Sequence, residues 1–186
     1  MRMLDVSSLE IAEVRLIRTG RIADSRGYFF ESWNRRTFEA AGIRIDFVQN
    51  NCSYSKAEHT IRGLHFQTAP HAQAKLVRVV RGSILDVAVD LRASSDTYRR
   101  WVSAVLTAEG GEQMLVPVGF AHGYCTLEPH TEAAYKVSAF YAPEHEAGIS
   151  WNDPDIGIEW PLSDRAPVLS EEDAHLPRLA DATFGF

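Results

Sequence analysis

The chain has 186 residues, 45% of them hydrophobic and 24% charged, which is the make-up of an ordinary globular protein whose length suits one domain, expected over 1–186. A net charge of −6 argues against a general nucleic-acid or anionic-membrane surface, so an anionic ligand has to be met by a local group of cations. Two cysteines, Cys52 and Cys125, are too few for a disulfide framework or a thiolate metal cluster and read as reduced thiols of a cytoplasmic protein.

The apolar residues between Met1 and Ile17 are interrupted by Asp5, Ser7, Ser8, Glu10 and Glu13, so no signal-peptide core is expected, and no later run approaches a membrane span. Asn34 can cap a short helix over 35–41, which Gly42 can end. From 47 to 141 short runs rich in Val, Leu, Ile and aromatics alternate with turn signals, the pattern of a mostly-β chain. Within it, 75–80 and 83–91 form a hairpin candidate around Arg81-Gly82. Val87, Val89 and Leu91, set against Asp86, Ala88 and Asp90, predict a half-buried strand. Strands at 101–107, 113–116, 124–127 and 132–141 continue the series, 151–167 reads as ordered loop, and a second short helix starts near Ser170. Many short strands with small peripheral helices suggest a closed sandwich or barrel.

The chemistry concentrates in Arg62-Gly63-Leu64-His65-Phe66-Gln67 and Lys75. These residues set an imidazole, the side chain whose unperturbed pKa lies nearest neutrality, between a guanidinium and an ammonium. Such a set suits proton transfer beside a developing oxyanion, although a core histidine and a solvated strand lysine would read the same way. Ser170-Glu171-Glu172-Asp173 resembles a capping box, which gives Asp173 a purely local reading as well.

Gly111, Pro117, Gly119 and His122 match the second signature of the cupins, in which Pro and Gly turn the chain between barrel strands and the histidine points inward. Where metal-binding cupins carry a His-x-His pair, this chain has His65-Phe66-Gln67, and Thr126 replaces a later asparagine, so a three-histidine metal centre is not expected.

Nearly end to end, the chain resembles the dTDP-4-dehydrorhamnose 3,5-epimerase family, cupins that work without metal. The resemblance rests on residues 24–31 (Asp-Ser-Arg-Gly-Tyr-Phe-Phe-Glu), 47–51, 62–67, 73–77, 119–123, 151–153 and 156–161. It implies a jelly-roll barrel, no cofactor, a homodimer, and a dTDP-4-keto-6-deoxyhexose substrate whose C3 and C5 protons are acidic beside the C4 ketone. It further implies His65 as the base, Tyr135 as the acid on the opposite face, Asp173 as the carboxylate orienting the base, and Lys75 as the holder of the enolate oxygen. Arg26 and Arg62 align with residues that hold the diphosphate. Phe29, Glu31, Gln49, Asn51, His122 and Glu146 align with further substrate contacts. Glu172, where some relatives are basic, and Phe140, where some have tyrosine, depart from the pattern. A single-carbon epimerase would use the same residues, whereas a non-catalytic sugar-binding cupin would turn Tyr135 or Asp173 away from His65.

Overall fold

Short runs rich in apolar, β-branched and aromatic residues form the strands of the computed structural model, which describes residues 4–182. The first part of the chain forms β1 (Leu4–Ser8), β2 (Arg15–Thr19), the small hairpin β3 (Ile22–Asp24) and β4 (Gly27–Phe29), then helix α1 (Arg35–Ala40). There follow β5 (Gln49–Ser55), β6 (Ile61–Gln67), β7 (Lys75–Arg81), β8 (Ser83–Asp90) and β9 (Trp101–Thr107). The last strands are β10 (Glu112–Val116), β11 (Phe120–Thr126), β12 (Thr131–Val137) and β13 (Glu146–Gly148), before helix α2 (Glu171–Ala174). No helix among the described residues is long and apolar enough to cross a membrane.

Two antiparallel sheets, ordered β1-β2-β10-β7-β12-β5 and β13-β6-β11-β8-β9, pack face to face as the mostly-β cupin jelly roll that the resemblance implied. Between them lie Val77, Val79, Ala88, Val102, Met114 and Phe120 from both sheets. The outer face of the five-stranded sheet buries Leu64, Phe66, Val87 and Val89 under Ile149, Ile156 and Leu179 of the C-terminal segment. On the other outer face, Ile17, Leu76 and Leu115 meet Phe38 of α1 and Ile43. Each such side chain contributes roughly 1.5–3 kcal/mol by leaving water, so three layers of contact fix both sheets.

This layering corrects two expectations. The turn at Arg81-Gly82 is not a hairpin: β7 pairs with β10 and β12, whereas β8 pairs with β11 and β9. Gly82, at φ +78°, passes the chain from one sheet to the other, and a Cβ there would stand 2.4 Å from Thr131 Oγ1. Nor is β8 half-buried, since Asp86, Ala88 and Asp90 are as buried as Val87 and Val89. The C-terminal segment supplies the second cover, and it lies some 60 or more residues away along the chain, beyond the reach of local periodicity. The acids survive burial because they are paired. Burial pushes Asp90 up, but hydrogen bonds from Arg92, Ser95 and Thr97 hold its carboxyl down at about 2.

The helices match their expectations: Asn34 caps α1 by accepting from Arg36 N at 2.9 Å, and Ser170 caps α2. Four strands before residue 47 were not expected from the residues themselves. β1 and β2 are short, and β3 and β4 are exposed throughout, so none has a strong alternating signal.

At Gly63, β6 lies against β11 with no room for a side chain. At φ +120°, a Cβ on it would lie 2.7 Å from both Gly123 Cα and His122 O, beside the register shift between His122 and Tyr124. Gly63→Ala is therefore expected to destabilise the fold by about 1–3 kcal/mol through overpacking and backbone strain, read as a lowered midpoint of urea unfolding. An unchanged midpoint would mean that the two strands can separate without cost.

Candidate active site

Strand register sets the site. On the inner face of the five-stranded sheet, His65 pairs with His122 and His122 with Ala88, while one step along Arg62, Tyr124 and Asp86 form a second row. Across the sandwich, Lys75 pairs with Val137 and Val137 with Gln49, and Val77 with Tyr135 and Tyr135 with Asn51. The two sheets thereby present His65 and Tyr135 to one cavity of about 290 Å³, at the lower end of the range for small-molecule sites. Arg62, Lys75, His122 and Asp173 share its lining with Ser53, Tyr124, Ser170 and Glu172. An adjoining space of about 100 Å³ adds Asn51, Gln67, Gln73, Tyr141 and Glu146.

His65 Nε2 lies 2.6 Å from Asp173 Oδ1, the distance of a close ion pair. Nε2 itself is buried whereas the side chain keeps 31% of its exposure, so the accessible part of the ring is turned from Asp173. Asp173 reaches this position from α2: its backbone N–H donates to Ser170 Oγ at 3.0 Å, and its carboxylate accepts from Gly63 N at 3.3 Å. The capping and histidine-pairing readings of Asp173 are thus both realised, one by its backbone and the other by its side chain. Burial pushes the Asp173 carboxyl up, but His65, Ser170 and Gly63 together hold it below the usual aspartate value. A carboxylate ionised there stabilises a proton arriving on the imidazole.

Lys75 is buried, and its Nζ donates to the His65 carbonyl at 3.2 Å. Desolvation lowers its pKa to about 8 against the attraction of Asp86 and Glu146. Next to it, His122 Nε2 meets Asp86 Oδ1 at 2.8 Å in full burial. Burial drives the His122 imidazole down and the Asp86 carboxyl up, each opposed by the other's charge. Tyr135 is held above the usual phenol value by burial, with Asn51 and Arg62 pulling the other way, so it is a protonated phenol at neutral pH. Arg62 is fixed at the wall by donating to Ser55 Oγ at 3.2 Å and to the Tyr54 carbonyl at 3.0 Å. An imidazole paired with a carboxylate, an ammonium of mobile charge and a neutral phenol can together remove a proton, hold an oxyanion and return a proton.

Gln67, at the place of a cupin metal ligand, acts as a clamp. Its Nε2 donates to the carbonyls of His71 and Phe140, and its Oε1 accepts from Ala142 N at 2.9 Å. Gln49 bridges Asn51 Oδ1 and Tyr141 N, and Glu146 accepts from the Tyr141 hydroxyl. Four expected contacts do not line the cavity within one chain: Gln49, which touches it only through Asn51 and Tyr141, and three residues of the N-terminal part. Arg26 lies exposed on the β3–β4 hairpin, 2.6 Å from Asp24, and Phe29 is exposed on the same hairpin. Glu31 accepts from Asn34 and Thr37 at the start of α1. Conversely, Ser53, Tyr124 and Asp86 were not singled out in the sequence. Tyr124 follows His122 by two and so shares its face, a signal that was available; Asp86 was read as outward-facing.

Fold and site define a jelly-roll cupin that presents a histidine–aspartate pair and a tyrosine from opposite sheets to one pocket. The sequence model of the dTDP-4-dehydrorhamnose 3,5-epimerase family matches residues 8–181, and the chain belongs to that family. It is 49% identical to the dTDP-4-dehydrorhamnose 3,5-epimerase of Sinorhizobium fredii, over 96% of this chain and 91% of that protein. The crystal structure of the Bacillus anthracis dTDP-4-dehydrorhamnose 3,5-epimerase with TDP and PPi bound is 45% identical and superposes with a TM-score of 0.91, covering 95% of this chain and 99% of that one. The Legionella pneumophila epimerase, in complex with dTDP-4-keto-L-rhamnose, is 38% identical with a TM-score of 0.92, over 97% and 95% of the chains. A 3′-monoepimerase from Streptomyces bikiniensis, in complex with dTDP-quinovose, shares the fold at 32% identity and a TM-score of 0.86, over 94% and 87%.

Proposed function

We propose that this chain is a single cupin domain that epimerises dTDP-4-dehydro-6-deoxy-D-glucose at C3 and C5, giving dTDP-4-dehydro-L-rhamnose for dTDP-L-rhamnose synthesis in the cytoplasm. The observation that carries the reading is the placement of the His65–Asp173 pair and Tyr135 on opposite walls of one cavity. With Nε2 facing Asp173, Nδ1 of His65 takes the proton from the carbon next to the ketone. The C–H electron pair moves into the ring, the C4 oxygen becomes an enolate oxygen, and the Lys75 ammonium holds its charge. Tyr135 then returns a proton from the other face, which inverts the centre. Arg62 supports the diphosphate of the nucleotide. The non-catalytic reading requires Tyr135 or Asp173 to point away from the pocket, and both line it.

Arg26, Phe29 and Glu31 fit this reading through a homodimer, in which the exposed β3–β4 hairpin of one copy reaches the pocket of its partner. A second copy would supply the contacts that the single chain lacks.

Proton NMR of the substrate with EDTA-treated protein in D2O tests the function. Deuterium at both C3 and C5 with inversion is the expected result, and exchange at C3 alone would favour the activity that the Streptomyces bikiniensis relative's name describes. No exchange at either carbon would overturn the enzymatic reading. Tyr135→Phe separates the two proton steps. Exchange on the His65 face is expected to outlast inversion, which should fall by about 10²–10⁴-fold. Equal loss of both would give Tyr135 a structural role.

A further inference from the structure

Outside the groups used above, two turns at the rim of the cavity bring His71, Glu144 and His145 together. One ligand atom from each lies within 4.8 Å of the others, and the two imidazole rings stand 4.6 Å apart with a 41° tilt. We propose that these three side chains bind a divalent cation of the zinc type, which ties the segment after β6 to the segment before β13.

The donor set selects the ion. Two imidazoles and a carboxylate, with water in the fourth place, suit zinc, whereas calcium and magnesium prefer oxygen ligands alone. In a tetrahedral site with ligands about 2.0–2.1 Å from the metal, the donor atoms stand roughly 3.3 Å apart, so the present spacing has to close by side-chain torsion. Glu144 is exposed and free to swing.

The backbone is already in place. His71 N donates to Thr68 O at 3.0 Å, Thr68 N to His145 O at 2.9 Å, and His145 N to Ala142 O at 2.9 Å. Buried Gln67 spans both turns, since it donates to His71 O and accepts from Ala142 N. Thr68 also holds the His145 ring. Its hydroxyl lies 3.2 Å from Nδ1 and 3.4 Å from the carbonyl of that residue, and when it accepts from Nδ1–H it leaves Nε2 unprotonated. In that tautomer Nε2 carries the lone pair a metal ligand needs, and Thr68 is the outer partner that commonly accompanies such a histidine.

Because the cluster lies outside the lining that carries His65 and Lys75, the ion is a tie at the rim and takes no part in proton transfer. EDTA-treated protein is titrated with zinc chloride by calorimetry and followed by thermal unfolding. One ion per chain and a raised midpoint are expected. His71→Ala, His145→Ala and Glu144→Gln should each weaken binding by at least about tenfold, and Thr68→Val by about tenfold through the loss of its orienting contact. His130→Ala, at the exposed ring pair with Tyr54, should leave binding unchanged. The absence of saturable binding, or undiminished binding in both His71→Ala and Glu144→Gln, would overturn the site. The exchange assay is read separately on the same samples. Zinc-dependent exchange that is lost in His71→Ala would overturn the tie in favour of a role in the reaction.

Discussion

His65→Asn is expected to abolish deuterium exchange at both C3 and C5 and to lower turnover by about 10²–10⁴-fold, the usual contribution of a positioned general base. Asparagine keeps a polar group near Asp173 but offers no basic nitrogen. The carboxylate of Asp173 retains Gly63 N–H as a partner, so the fold should survive with a loss on the order of 1–3 kcal/mol for one charge-assisted contact. Nucleotide binding should persist, because Arg62 is held by Ser55 and Tyr54 and does not depend on the imidazole. Exchange at the unmodified rate would remove His65 from the reaction. Exchange lost at one carbon alone would show that a different base serves the other.

How much of this was legible in the sequence differs from residue to residue. The strands at 101–107 and 113–116 are readable because apolar and β-branched residues dominate each, interrupted only by Ser103 and Gln113. β8 was misread although its alternation is real, because periodicity reports two faces but cannot say that a distant segment covers the second. The same blindness hid Asp86: an acid alternating with valines looks solvated until His122 arrives from β11. Asp173 shows the reverse. Local chemistry predicted its cap and the resemblance its histidine partner, and a helix of four residues lets backbone and side chain serve both. Arg26, Phe29 and Glu31 are matched by motif alone, and the single chain leaves all three outside the cavity lining.

Lys75→Met is expected to lower turnover by about 10²–10³-fold, the usual effect of removing one group that stabilises a developing oxyanion. The pH profile distinguishes this loss from a packing defect. With a pKa lowered to about 8 by burial, Lys75 is charged below that pH and neutral above it, so activity of the unmodified protein should fall as pH rises through about 8. Lys75→Met should retain a low activity without that alkaline limb. Stability gives an independent reading with the opposite sign. Between about 8 in the folded chain and the ordinary lysine value of about 10.4 in the unfolded one, the unfolded state binds the extra proton, so this group makes the fold more stable as pH rises across the window. Methionine has no proton to bind, so that gain should be absent from the variant, while its unbranched stem fills much of the same space. An alkaline limb that survives in Lys75→Met would assign the titration to another group and leave the enolate oxygen without its proposed partner.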